Sequence, residues 1–244
     1  MFDYASTSKP KLEVCPSPAL LPLYNIEESI VVIIDVLRAT STIAAALYNG
    51  ASAVYPVATV ENCVALSREK NGITAGERDG RIAPGLDHGN SPLEYPKEFI
   101  EDQVLVLTTT NGTRLLHKSL GAQTIITGSF PNISAVCTYL IQQDKPVLLA
   151  CAGWRDRVNV EDTLFAGAVV DRVKECFDVN CDACTMAESL YLQHESNLIK
   201  AVEQSSHYKR LACLGVNKDI EYCLSSDVAA ALPLYREGKL INYL

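Results

Sequence analysis

Residues 30–48 read IVVIIDVLRATSTIAAALY. Five consecutive β-branched apolar residues, 30–34, end at Asp35, and a hydroxyl-rich loop leads into an alanine-rich stretch. A strand that is apolar at every position is buried on both faces, as in a parallel sheet covered by helices. Four more runs share this character: 53–57, 104–107 (VLVL), 124–127 and 147–150 (VLLA). Helical stretches fall between them at 42–48, 60–68, 113–120, 133–142 and 161–173. The alternation predicts an α/β protein, a three-layer α/β/α arrangement with a largely parallel or mixed central sheet.

The stretches near 30–70 and 104–143 resemble each other, each reading strand, polar loop, helix, Gly-Ala turn, strand, helix. Gly50-Ala51 in the first falls where Gly121-Ala122 falls in the second. Internal duplication is one reading, and the family likeness of all parallel α/β units is the other. Beyond Val173 the sequence predicts helices at 185–204, 208–214 and 219–224, then a turn at 236–239 between two terminal strands. No long linker or low-complexity segment interrupts residues 1–244, so one domain is expected.

Composition narrows the function. The 244 residues are 48% hydrophobic and 20% charged, which excludes a disordered chain. Twenty-nine acidic against 21 basic residues leave a net charge of −8, and aromatics are 7%, a poor basis for binding nucleic acid. No apolar run approaches the roughly 20 residues that cross a bilayer, so no membrane partner is expected. The amino terminus, MFDYASTSKP, has no apolar leader, and nine cysteines without one fit the reducing cytoplasm. A compact enzyme, with a homodimer as its expected assembly, is what remains.

Three loops follow predicted strand ends, where open α/β sheets place ligands. The first holds Asp35, Arg38, Thr40, Ser41 and Thr42. Hydroxyls and free amides at a helix start, beside an Arg, suit an oxyanion or phosphate; a plain helix cap is the alternative. The second, Thr108 to Thr113, contains Thr110, Asn111 and Gly112, whose amides suit an anion nest or an ordinary turn. The third runs from Cys151 through Trp154 and Arg157 to Glu161 and Asp162. Cys151 and Arg157 have the spacing of cysteine phosphatases, although Ala150 and Val158 depart from that pattern. Glu161 and Asp162 are alternatively hard ligands for Mg2+, or acidic residues that offset a helix dipole.

Two further segments add polar groups: Gly76-Glu77-Arg78-Asp79-Gly80, a charged turn, and His88-Gly89-Asn90-Ser91-Pro92-Leu93-Glu94. Ser91 and Glu94 have capping-box spacing, which does not account for Asn90. Leu37 stands where an aspartyl-phosphate enzyme of the haloacid-dehalogenase type needs a second acid, and no Gly-rich loop ending in Lys-Ser/Thr is present. Cys176, Cys181 and Cys184, with Cys213 downstream, approximate an iron–sulfur spacing but lack the glycine of a cluster loop, so they are read as buried or incidental. His88, His117, His194 and His207 form no ligand pattern and are read as surface or satisfied histidines.

Taken in order, DVLRATSTI, GERDG, HGNSPLEY, TTTNGTR and CAGW…VEDTLFAGAVV resemble the 2-phosphosulfolactate phosphatase family. The resemblance covers about 30–171, with weaker echoes at 209–215 and 219–227; the loop at Trp154-Arg155-Asp156 is bulkier than expected. It implies an α/β/α phosphohydrolase that uses Mg2+ to convert 2-phosphosulfolactate to 3-sulfolactate and phosphate, a product that can feed coenzyme M synthesis. The substrate carries a phosphate, a sulfonate and a carboxylate, so several anion-binding elements are needed. Arg38, Arg78, Arg157, Thr40–Thr42 and Thr110–Thr113 are the candidates, joined by Glu77, Asn90, Ser91 and Trp154. Asp35 is expected as metal ligand or general base, with Glu161 and Asp162 as further ligands.

Overall fold

The computed structural model describes residues 9–244; the leader reading falls largely on residues 1–8, outside them. Ten strands form one sheet: β1 (Leu12–Cys15), β2 (Ile30–Ile34), β3 (Ala53–Pro56), β4 (Ile73–Arg78), β5 (Arg81–Ile82), β6 (Val104–Thr108), β7 (Thr124–Gly128), β8 (Val147–Cys151), β9 (Pro233–Arg236) and β10 (Lys239–Asn242). Their order is β1-β8-β2-β7-β9-β10-β3-β6-β4-β5. One parallel group, β1, β8, β2 and β7, is separated from a second, β3, β6 and β4, by the antiparallel β9–β10 hairpin. The hairpin meets β7 through the single pair Ile126 and Leu234, and β3 through the single pair Leu240 and Val54. The sheet is therefore mixed.

The five principal predicted strands appear with ends shifted by no more than one residue. The helices are α1 (Ala39–Tyr48), α2 (Val60–Lys70), α3 (Lys97–Ile100), α4 (Gly112–Lys118), α5 (Ile133–Gln143), α6 (Val160–Val173), α7 (Asp182–His194), α8 (Leu198–Val202), α9 (Ser206–Ala212) and α10 (Asn217–Cys223). Two expectations need correction. The helix expected over 185–204 is two helices, α7 and α8, the second capped by the Asn197 side chain on the Lys200 amide. Helix α1 begins at Ala39 rather than 42, so all three hydroxyl residues lie inside it. Strand β1 was not expected, because LEVC is short and carries a charge.

The layers follow from which face of each strand is covered. Val32, Ile34, Ile126 and Leu149 pack with Leu140 of α5, Phe165 and Val169 of α6 and Ala187 of α7. On the opposite face, Val31 and Ile33 from the first parallel group and Val54, Leu105 and Leu107 from the second meet the same two helices. These helices are α1, through Ile43 and Leu47, and α4, through Leu115 and Leu116. A third cluster, Cys63 with Val106 and Leu86, seats α2. Both parallel groups face α1 and α4, and every residue from Ala39 to Leu47 is buried. The loop after β2 meets the loop after β6, although their strands belong to different groups.

In the repeat-like stretches, β2 pairs with β7 and β3 with β6, so each stretch lends one strand to each parallel group. No helix is long and apolar enough to cross a membrane among the described residues.

Candidate active site

A polar cleft opens where the loops after β2, β4, β6 and β8 meet α9. It is lined by Asp35, Leu37, Arg38, Glu77, Asp79, Gly80, Asn90, Thr110, Asn111, Trp154, His207, Arg210 and Leu211. Five separate predicted segments thus contribute to one site.

Asp35 ends β2 and is buried. Burial pushes its carboxyl up to about 7; the Glu77 charge adds to the rise, while His207 and an amide hydrogen bond from Gly112 act against it. A Cβ on Gly112 would stand 2.8 Å from Asp35 Oδ2, so the loop after β6 approaches the carboxylate at a distance only glycine allows. The predicted anion nest at 110–113 therefore serves the protein's own carboxylates. The Gly112 amide serves Asp35, and the Thr110 amide donates to Glu77 Oε1 at 2.9 Å. Thr109 and Thr113 exchange amide and hydroxyl hydrogen bonds with each other, closing the turn. Glu77 Oε2 accepts from the Gly80 amide at 2.9 Å, which fixes the β4–β5 turn.

Thr40, Ser41 and Thr42 do not form the expected phosphate cradle. Thr40 accepts from the Asp35 amide, Ser41 donates to the Val36 carbonyl at 2.9 Å, and Thr42 donates to the Asn90 carbonyl at 3.1 Å. All three are fully buried, so they hold the loop's shape from inside. Arg38 is engaged as well. One guanidinium nitrogen pairs with Asp219 Oδ2 of α10, and the other donates to the Gly80 carbonyl at 3.1 Å. Ser91 donates to the second Asp219 oxygen at 2.8 Å while capping Leu93. Glu94 bonds the Gly89 amide, not Ser91, so the expected reciprocal capping box is absent. Asn90 faces the cleft with its Oδ1 buried and unpartnered.

Glu161 and Asp162, at the start of α6, are both fully buried but differ in use. Asp162 accepts from the Val36 amide and the Gly153 amide, each at 3.0 Å, and so ties the loop after β2 to the loop after β8. Burial, with Glu161 and Asp35 nearby, holds its carboxyl well above the ordinary range. Glu161 Oε1 hydrogen-bonds His207 Nδ1, and its Oε2 has no partner. With Nδ1 turned to Glu161, His207 leaves Nε2 for the cleft it lines. This is the arrangement by which a buried carboxylate fixes the tautomer of a proton-carrying imidazole.

The remaining candidates are placed as follows. Trp154 lines the cleft, its turn closed by two backbone bonds to Arg157. Arg157 is exposed and outside the cleft, and Cys151 is fully buried in the core. Burial and the Asp162 charge hold the Cys151 thiol far above its ordinary value, the opposite of what a phosphate-attacking thiolate requires. Arg78 bonds Thr108 Oγ1 and lines a neighbouring basic groove with Arg114, His117 and Lys118. Three cleft residues went unseen in the sequence: His207, Arg210 and, behind Arg38, Asp219. Arg210 and Asp219 fall in the faint family echoes at 209–215 and 219–227, whereas His207, read as a surface or satisfied histidine, had no signal at all.

A divalent cation suits this cleft. Its side chains include three carboxylates, Asp35, Glu77 and Asp79, against two guanidiniums, and an anionic substrate adds to the negative side. Asp35 and the orphan Asn90 Oδ1 are hard oxygen donors in the same cleft. Among the described residues no three His, Cys, Asp or Glu side chains form a ready cage. That is compatible with Mg2+, which keeps several waters and takes one or two carboxylates plus substrate oxygens. Asp162, with both oxygens on amides, is not disposed as the ligand the sequence suggested.

The profile of the 2-phosphosulpholactate phosphatase family matches residues 15–238. A protein of Thermotoga petrophila is 44% identical over 223 residues, covering 91% of this chain and 96% of its own. One from Synechocystis sp. is 39% identical over 89% of this chain and 92% of its own, and one from Caldanaerobacter subterraneus is 38% identical over 88% and 90%. All three carry the name "Probable 2-phosphosulfolactate phosphatase". A cleft with a carboxyl raised to about 7, a carboxylate-held histidine and two guanidiniums is in keeping with these matches: the chain belongs to the 2-phosphosulpholactate phosphatase family, a family of phosphoric monoester hydrolases.

Proposed function

We propose that this protein hydrolyses 2-phosphosulfolactate to 3-sulfolactate and phosphate with Mg2+ as cofactor, in the cytoplasm. The observation that carries the reading is the meeting in one polar cleft of Asp35 with His207, which the buried Glu161 holds from behind. Asp35, with Asn90 Oδ1, would hold Mg2+. When bound there, it would offset phosphoryl charge and lower the pKa of an attacking water.

The protein's own residues supply the rest. Water adds to phosphorus while the bond from phosphorus to the C2 oxygen breaks, leaving a secondary alkoxide that needs a proton. His207, oriented by Glu161, delivers that proton from Nε2 and recovers one from the incoming water. Arg38, fixed between Asp219 and the Gly80 carbonyl, contributes positive potential without freedom to wander. Nine free cysteines support the reducing compartment.

The test is phosphate release from 2-phosphosulfolactate with Mg2+ and again with EDTA. Turnover only with Mg2+ is expected. Turnover that ignores EDTA would overturn the metal reading, and no turnover in either arm would overturn the substrate.

A further inference from the structure

Arg210 differs from the other guanidinium of the cleft. Arg38 is paired with Asp219, whereas among the described residues Arg210 forms no ion pair, and its buried Nε has no acceptor. Its guanidinium lies over the Trp154 ring, 5.3 Å from the centroid. Arg210 and His207 sit three residues apart on α9, and both line the cleft. Spacing of i and i+3 places both on one helix face, so the distance between proton donor and free cation is set by one helical turn.

We propose that Arg210, stacked on Trp154, binds the substrate's sulfonate and so selects sulfonate-bearing phosphoesters. This rests on the hydrolysis reading above. The phosphate has to lie by Asp35 and His207, where the bond breaks, so the substrate's other charged end needs a separate partner. A sulfonate spreads one charge over three weakly hydrated oxygens. A guanidinium, itself weakly hydrated and here resting on an indole, takes such a group from water at low cost and offers it several N–H donors.

The test compares 2-phosphosulfolactate with 2-phospholactate, which lacks the sulfonate, on the wild type, Arg210→Gln and Arg210→Lys. Arg210→Gln is expected to raise KM for 2-phosphosulfolactate roughly 10- to 100-fold, while KM for 2-phospholactate and both kcat values stay within about threefold. Arg210→Lys should recover part of the loss. Equal losses on both substrates, or no loss, overturn the proposal.

Trp154 is the only tryptophan of the chain, so its emission reads the same site without turnover. In the wild type 3-sulfolactate, but not lactate, is expected to change it, and Arg210→Gln should abolish the change. If the wild type hydrolyses neither ester yet 3-sulfolactate still changes the emission, hydrolysis fails and the sulfonate site stands. No sulfolactate-dependent change in the wild type overturns the sulfonate site, whatever the turnover.

Discussion

Gly112 approaches Asp35 so closely that one added methyl group would lie 2.8 Å from the carboxylate oxygen. Gly112 opens α4 without a positive φ, and alanine is the better helix former, so Gly112→Ala should leave the helix intact. The damage falls on Asp35, whose carboxylate oxygen at 2.8 Å has to shift to restore an ordinary contact. Activity is expected to fall by up to about 100-fold with only a small change in Tm. Unchanged kcat/KM would show that the carboxylate's position is not critical.

The Asp35 carboxyl near 7 predicts a pH-dependent stability. Its folded value lies above its ordinary 3.8, so its contribution to stability is full below about pH 4 and is lost as pH rises through about 7. In EDTA, Asp35→Asn should therefore be more stable than the wild type at pH 8, by on the order of a few kcal/mol. The gain should vanish towards pH 4. Urea midpoints at both pH values check this, and a variant weaker than the wild type at pH 8 contradicts it.

Arg38 and Asp219 are buried partners, and Asp219 also receives the Ser91 hydroxyl. Removing one member of such a pair strands the other, so Asp219→Ala should cost about 3–5 kcal/mol. Ser91→Ala should cost only about 1 kcal/mol, since it deletes one neutral donor. Denaturant unfolding separates the two, and equal losses would contradict this account of the network.

Cys151 is expected to be dispensable for chemistry. Cys151→Ala should keep Mg2+-dependent turnover within about threefold and lose about 1–2 kcal/mol of stability through the cavity it leaves. A loss of activity with intact folding would return the thiol to the centre of the mechanism.

His207→Asn is expected to lower kcat by about 10²- to 10⁴-fold with a smaller effect on KM, the signature of a lost proton donor. Glu161→Gln should cost less, since the imidazole remains but loses its fixed orientation. Pre-steady-state phosphate release distinguishes a slowed chemical step from slowed product departure.

The legible parts of the fold were those written in local pattern. The run 30–34 declared β2 because every position is apolar, and 104–107 and 147–150 did the same for β6 and β8. Strand β1 was hidden because Glu13 interrupts it and only its pairing with β8 holds it in the sheet. Asp35 was legible as a charge ending an apolar strand. The hydroxyls at 40–42 misled, because a buried helix start also needs hydroxyls to satisfy its backbone. His207, Arg210 and Asp219 were not legible from pattern, for they reach the cleft from short polar helices far along the chain.

The β9–β10 hairpin has a further consequence. It touches β7 on one side and β3 on the other through one residue pair each, yet within the sheet it alone joins the two parallel groups. Without residues 233–242, β7 and β3 would each present a naked row of amides and carbonyls, the template on which strands from other molecules add. Damage to this short hairpin should therefore be felt as self-association before any lesion in the cleft is felt as lost turnover.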